Sequence, residues 1–432
     1  MEYLPIILFA AVFALLLLGY PVAFTLGGIS VLVGLLVFDV DFFYLLSLRV
    51  YGTMQNFVLL AVPLFIFMGM TLERSGIAER LLLTMSRLFG NIRGGLAIAV
   101  VIVGAMLAAS TGIVGATVVT MGLISLPIML KRGYSPGIST GVIASSGTLG
   151  QIIPPSIVLV LLGSVLNVSV GDLFVAAIVP GIGLVISYLC YILVYGRFYP
   201  DKVPKVSAAE IKDFRSSGFK KEVIESFLFP FILIALVLGS IFAGIASPTE
   251  AAGVGAFGAM VLAIVSKKFN LSMLKEVMRE TTLTTSMVFM IFVGATAFSL
   301  VFRGLEGDKL LLGLIQQSNL DATSFLIVVM VVVFISGFFI DFIEIIFIII
   351  PVVAPIFLKM GVDLVWIGVL LAINLQTSFL TPPFGFALFY LKGVAPEGVQ
   401  TRDLYRGIIP FVLIQIGFLT LLILFPKLTF LF

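Results

Sequence analysis

Asp341 and Glu344 stand three residues apart inside one long apolar run. An ionised carboxylate in mid-membrane costs at least ~2.5 kcal/mol on insertion scales, so an acid there needs a purpose. On a helix this spacing puts both acids on one face, which suits a cation site or a proton-bearing pair. A structural salt bridge, for instance to Arg303, or a water-exposed turn are the competing readings. The turn before them is Gly337-Phe338-Phe339-Ile340.

Three further polar interruptions share this character. Ser110-Thr111-Gly112, with Gly115, Ala116 and Thr117 behind it, combines hydroxyls with glycines. That mixture suits close backbone approach and hard oxygen ligation, although small residues also make plain helix-packing patches. The stretch Ser145-Ser146-Gly147-Thr148-Leu149-Gly150-Gln151 runs into Pro154-Pro155-Ser156, and Asn374-Leu375-Gln376-Thr377-Ser378 runs into Thr381-Pro382-Pro383 and Gly385. Tandem prolines cannot continue a helix: two amide donors vanish and the rings clash with preceding carbonyls. Pro154, Pro155, Pro382 and Pro383 are therefore read as structural breaks. Broken helices in hydrocarbon expose backbone groups that must be satisfied, and bound anions or cations are the usual partners.

These breaks belong to a repeat. Pro127, Lys131, Gly133 and Pro154-Pro155 recur as Pro355, Lys359, Gly361 and Pro382-Pro383, each 228 residues later (355 − 127). Flanking matches drift slightly: Pro21 to Pro248 is 227, Glu79 to Asp308 is 229, and Pro180 to Pro410 is 230. The chain divides into residues 1–196, a polar linker 197–224, and 225–432. Each half reads as two spans (about 4–18 and 21–38; 227–245 and 250–266), an amphipathic segment (about 41–53; 269–281) and a third span (about 57–72; 282–302). A long block broken at its middle follows (about 94–130; 323–358), then a broken span and a last span.

Composition fixes the solvent. Of 432 residues, 61% are hydrophobic and 11% charged, with a mean hydropathy of +1.25. A soluble domain carries about 25% charged residues, so this is an all-α polytopic membrane protein. A net charge of +3 gives no case for nucleic acid. Histidine is absent, which removes His relays and Ser-His catalysis, and no Gly-Lys pair exists for a phosphate loop. Neither an enzyme nor an ATP-driven pump is expected.

The block from Asn91 to Lys131 is too long for one crossing and carries basic residues at both ends. The positive-inside rule then calls for a re-entrant hairpin, or two spans joined by a very short outer turn. With five full spans per half the second half is inserted upside down, the linker is cytoplasmic and both termini are outside. Asn167, Asp172 and Glu306 to Lys309 also fall outside. The two double-proline breaks should then meet near the midplane, giving one substrate site flanked by two cation sites. Hydroxyl-rich breaks favour sodium over protons; a proton-coupled organic-anion carrier working without a binding protein is the alternative.

The stretch Gly147 to Ser156, together with Thr381-Pro382-Pro383 to Gly385, resembles the signatures of the large membrane subunit of tripartite ATP-independent periplasmic (TRAP) transporters, in the ion transporter superfamily. The resemblance covers essentially the whole chain. It implies a bacterial inner-membrane carrier that takes up an organic anion, usually a carboxylate, with sodium. It also implies two partners, a small four-helix membrane subunit and a periplasmic substrate-binding protein. An elevator-type division follows from it: scaffold helices at about 1–90 and 225–305, hairpins with broken helices at about 91–170 and 306–395. Sodium would lie between each hairpin tip and its broken helix. Candidate ligands are Ser110, Ser145, Ser146, Gly147, Gly150 and Pro154 in the first half. Gly337, Asp341, Thr377 and Thr381 are their equivalents in the second. Ser110, Thr111, Gly112, Thr148, Gln376 and Thr377 are the candidate substrate contacts. The tips depart from the commoner Gly-Ser-Ser and Asp-Pro patterns, and so resemble a subgroup tied to 2-oxo acids or aromatic carboxylates.

Overall fold

In the computed structural model the described residues are 3–111, 114–206, 223–318 and 320–430. Most of the linker expected at 197–224 lies outside them. The first half folds as α1 (Leu4–Leu17), α2 (Val22–Val37), α3 (Tyr44–Met54), α4 (Ala61–Arg74), α5 (Ile77–Leu88), α6 (Gly95–Thr111), α7 (Val114–Lys131), α8 (Pro136–Thr148), α9 (Ile157–Leu166) and α10 (Val170–Phe198). The second half follows as α11 (Phe229–Phe242), α12 (Pro248–Val265), α13 (Leu271–Gly304), α14 (Gly307–Gln317), α15 (Ala322–Ser336), α16 (Phe342–Ile348), α17 (Ile350–Lys359), α18 (Leu364–Leu380), α19 (Phe386–Val394) and α20 (Thr401–Leu424). No strand occurs among the described residues.

The order of elements repeats, with one clear difference. The amphipathic segment and third span expected separately at 269–281 and 282–302 form one 34-residue helix, α13. In the first half the chain breaks between α3 and α4 because the Asn56 side chain accepts the Val58 N–H and caps a new turn. No glycine, proline or asparagine interrupts Glu276 to Met287, so the helix runs on. The short amphipathic helices α5 and α14 were not anticipated as elements; their charges sit in chain that hydropathy reads as loop.

Packing between the halves is reciprocal. Helix α2 lies on α13 while α12 lies on α4; α8 packs on α20 while α18 packs on α10; α7 meets α19 while α17 meets α9. Such exchange of partners is what a two-fold relation between like units produces. Tyr188 and Gln415, which are 227 apart (415 − 188), hydrogen-bond to each other in the buried interior. The α8–α20 contact is close because a Cβ on Gly407 would collide with the Gly137 carbonyl.

The core is built around α8, α9 and α18, buried along nearly their whole length. Helices α1, α2, α11 and α12 instead expose apolar rows such as Phe24, Leu32, Leu36, Leu236 and Phe257. Continuous exposed apolar surface of this kind faces lipid. Among the described residues six helices are individually long and apolar enough to cross a bilayer. A seventh span arises if α16 and α17, bent by 51°, count together. Expected spans such as α1 and α2 come as helices of 14 and 16 residues, short of the ~20 a full crossing needs.

Both long blocks fold back on themselves. At the foot of the α6–α7 pair, the Leu96 N–H donates to the Tyr134 hydroxyl at 3.3 Å. The Gly94 and Ser135 N–H groups donate to the carbonyls of Val203 and Lys202, at 3.2 and 3.0 Å. Entry and exit of this hairpin are thus tied to one four-residue turn. In the second hairpin Leu320 and Asp321 at one foot share a cavity with Lys359 and Met360 at the other.

Candidate functional site

Each double proline does interrupt a helix. α8 stops at Thr148, passes through the tight turn Leu149–Gln151 and runs non-helically to Ser156, which caps α9. The Ser156 hydroxyl donates to the Gln151 carbonyl at 2.8 Å, so part of the freed backbone is satisfied locally. α18 stops at Leu380 and α19 begins at Phe386. There the Tyr405 hydroxyl donates to the Pro383 carbonyl at 2.6 Å. The breaks differ in exposure: Pro154 and Pro155 are buried, whereas Pro383 and Phe384 are exposed.

Each break is held flush against a hairpin. A Cβ on Gly150 would collide with the Ala108 carbonyl, and one on Gly104 would come within 2.6 Å of the Ser146 Cβ. In the second half a Cβ on Gly337 would meet the Ser378 Cβ at 2.7 Å. Ser378 stands 228 residues after Gly150, and Gly337 stands 229 after Ala108. The same contact therefore recurs with the glycine moved to the other side. Ring contacts add to it, with Phe339 against Phe384 at 5.0 Å and Phe342 against Phe379 at 5.9 Å.

The hydroxyls in the helices that lead into these breaks share one habit. Ser145, Ser146 and Thr148 donate to the carbonyls of Val142, Ile143 and Ser145, at 3.2, 3.1 and 2.9 Å. Thr377, Ser378 and Thr381 donate to Ile373, Leu375 and Thr377, at 2.7, 2.8 and 2.8 Å. A hydroxyl whose single proton is committed to its own helix offers only lone pairs to a neighbour. Six such oxygens beside interrupted backbone form an environment for a hard cation, without clustered acids. No group of three or more His, Cys, Asp or Glu residues placed to hold a metal occurs among the described residues.

Asp341 is spent differently from either competing reading. Its carboxylate accepts the Phe342 N–H at 2.6 Å, and Glu344 accepts the Asp341 N–H at 3.2 Å, forming a capping box on α16. Arg303 is not its partner; that guanidinium pairs with Asp308 at 3.8 Å. Of the sequence-derived candidates, Gly112 lies outside the described residues, and Ser110 and Thr111 are placed only by their backbone, at the end of α6. Gly147 packs on Val118, where a Cβ would come within 2.5 Å of the side chain.

Gln376 is wholly buried beside Tyr188, reaching toward its hydroxyl without making a bond of good geometry. Both polar atoms of its amide are orphaned, as are both of Gln151, which sits at the other break. Buried amides without partners are rare in native interiors and mark places where something else belongs. Gln151 was not singled out in the sequence, although its place in the turn before the double proline was the available signal. Tyr390 was missed as well. It packs on Gly115 behind the first tip, where a Cβ would lie 3.1 Å from its ring, and it is in electrostatic reach of Asp341 at the second.

The Tyr188–Gln415 bond gives a direct test of the interior. Tyr188→Phe leaves the Gln415 amide with no hydrogen bond at all, because its oxygen is already unpartnered. A buried orphan costs about 1–3 kcal/mol, so the variant is expected to melt several degrees lower in detergent. An unchanged melting temperature would show that this pair does not hold the halves together.

Comparison with known proteins agrees with this architecture. The family model "Tripartite ATP-independent periplasmic transporter, DctM component" matches residues 9–428. A C4-dicarboxylate TRAP transporter large permease protein of Pseudomonas aeruginosa is 31% identical over 402 residues, covering 92% of this chain and 91% of that protein. An ectoine TRAP transporter large permease protein of Halomonas elongata is 30% identical over 425 residues, covering 98% and 97%. The crystal structure of the YdaH transporter of Alcanivorax borkumensis superposes with a TM-score of 0.66 at 14% identity, over 98% of each chain. The chain therefore belongs to the DctM-component family of tripartite ATP-independent periplasmic transporters, inner-membrane permease subunits and not enzymes.

Proposed function

We propose that this permease imports an organic carboxylate together with sodium, by moving its hairpins and broken helices as a body against the remaining helices. One observation carries the reading: two hairpin-against-break contacts, with six hydroxyls in the helices leading into the breaks whose protons are already committed. Lone-pair oxygens and interrupted backbone suit sodium; the orphaned amides of Gln151 and Gln376 supply donors for an anion. Reciprocal packing of the halves favours the inverted arrangement read from the charge bias. The substrates named for the related permeases, a C4-dicarboxylate and ectoine, share a carboxylate group. In keeping with the family description, a periplasmic binding protein would deliver the substrate and a small four-helix membrane subunit would complete the scaffold.

The decisive experiment is uptake into proteoliposomes carrying an imposed inward sodium gradient, with and without candidate binding proteins. Accumulation is expected only when sodium and a cognate binding protein are both present. Equal uptake driven by a proton gradient in sodium-free buffer, without any binding protein, would replace this reading with the proton-coupled one, using Asp341 and Glu344.

A further inference from the structure

The repeat places an ion pair on one face of the molecule and its electrostatic opposite on the other. Arg74, at the end of α4, reaches Glu276 near the start of α13 at 3.7 Å. Arg74 maps onto Arg303 (303 − 74 = 229), the step that relates Glu79 to Asp308. Arg49 maps onto Glu276 (276 − 49 = 227), the step that relates Pro21 to Pro248. Where the first face has arginine against glutamate, the second has Arg303 against Arg49. Loss of solvent around the Arg49 guanidinium, and then the charge of Arg303, lower its affinity for a proton. Arg303 keeps Asp308 as a partner at 3.8 Å, while Arg49 makes no ion pair among the described residues.

Both arginines open into a cavity of about 880 Å³, within the range of small-molecule sites. Its wall includes Asn56, Ser164 and Ser299, and none of the residues of either double-proline break. Asp363 also lines it, but that carboxylate accepts the Val365 and Trp366 N–H groups at 2.7 and 3.2 Å and so serves its own helix. Asn56 donates to the Ser164 hydroxyl at 3.1 Å, so one edge of the cavity lies between the α3–α4 turn and α9. By the charge walk it opens on the outer side, with Glu306 to Lys309. Two guanidiniums flanking an open crevice concentrate anions, and planar oxyanions suit them best.

We propose that this crevice, walled on one side by Pro351, Pro355 and Leu358 of the second hairpin, is an oxyanion-binding vestibule in which Arg49 and Arg303 hold a carboxylate before it reaches the double-proline breaks. That the ligand is a transported carboxylate rests on the carrier reading above; the anion chemistry of the crevice does not.

The test reads charge at the site without requiring transport. Cys190 is the sole cysteine, so Cys190→Ser with Thr53→Cys places one thiol in the cavity wall. The full chain in phosphatidylcholine nanodiscs is labelled with an anionic and a cationic methanethiosulfonate, and the rate ratio is normalised to that of a free thiol. The anionic reagent is expected to be favoured about tenfold, in the range of electrostatic focusing. Arg49→Gln and Arg303→Gln should each reduce the ratio, and Arg49→Glu should reduce it furthest, because a glutamate beside Arg303 restores the neutral arrangement of Arg74 with Glu276. A ratio near unity before either arginine is changed, or one indifferent to these variants, overturns the proposal. Succinate should slow the anionic reagent in the parent protein. Slowing only by phosphatidylglycerol in the nanodisc would assign the arginines to lipid headgroups and overturn the vestibule, as would slowing by neither. Uptake is measured in parallel. Absent sodium-driven uptake with an intact labelling ratio would remove the carrier reading and leave the anion site standing.

Discussion

Gly150→Ala is expected to abolish most transport while the chain still inserts. The added methyl would run into the Ala108 backbone carbonyl, with the Ala108 Cβ at 2.8 Å behind it. Neither belongs to a flexible side chain, so α6 and the break must move apart. Overpacking of this kind costs about 1–3 kcal/mol, and about 1.4 kcal/mol is already tenfold in an equilibrium. Uptake should fall about tenfold or more, because the hydroxyls of Ser145, Ser146 and Thr148 move away from the hairpin. The second half supplies the control. Gly337→Ala should damage uptake through Ser378, and adding Ser378→Gly should restore the melting temperature, since the pair then has its small residue where the first half has Gly150. If Gly337→Ala alone transports at the parental rate, the hairpin-to-break contact is not part of the site.

Removing a charge or a hydroxyl from the second break separates ligation from architecture. Asn caps helices about as well as Asp, so Asp341→Asn preserves the start of α16 and deletes only the negative charge. A unit charge at about 4 Å in a partly screened setting is worth on the order of 4 kcal/mol. The half-saturating sodium concentration for uptake is therefore expected to rise about a thousandfold, with the melting temperature nearly unchanged. Thr381→Ala should raise it by a smaller factor and Thr381→Ser should not, because only the former loses the oxygen at the end of α18. A sodium dependence that is the same in Asp341→Asn and the parent protein would remove Asp341 from the cation site.

Much of this architecture was legible in the chain because proline and glycine act locally. Pro154-Pro155 and Pro382-Pro383 end helices whatever surrounds them, and their fixed separation exposes the repeat. Hydroxyl-rich runs before each break were equally visible. The continuous α13 was less so: nothing in Arg279 to Thr282 marks it as one helix, and only the lack of a cap like that of Asn56 allows it. Asp341 and Glu344 were recognisable as acids in apolar sequence, yet their mutual capping depends on the turn at Gly337 to Ile340.

The sequence by itself determined that this chain is a doubled, all-helical membrane protein with paired interruptions, since periodicity, composition and backbone-restricting residues act over short range. Tertiary structure alone decided which polar atoms are left without partners. It buried Gln151 and Gln376 unpaired, hid the first double proline and exposed the second, and set Arg49 facing Arg303 where the other face sets Glu276 against Arg74. Those outcomes depend on what packs alongside each residue, and neighbours distant in the chain are not written in any local run of it.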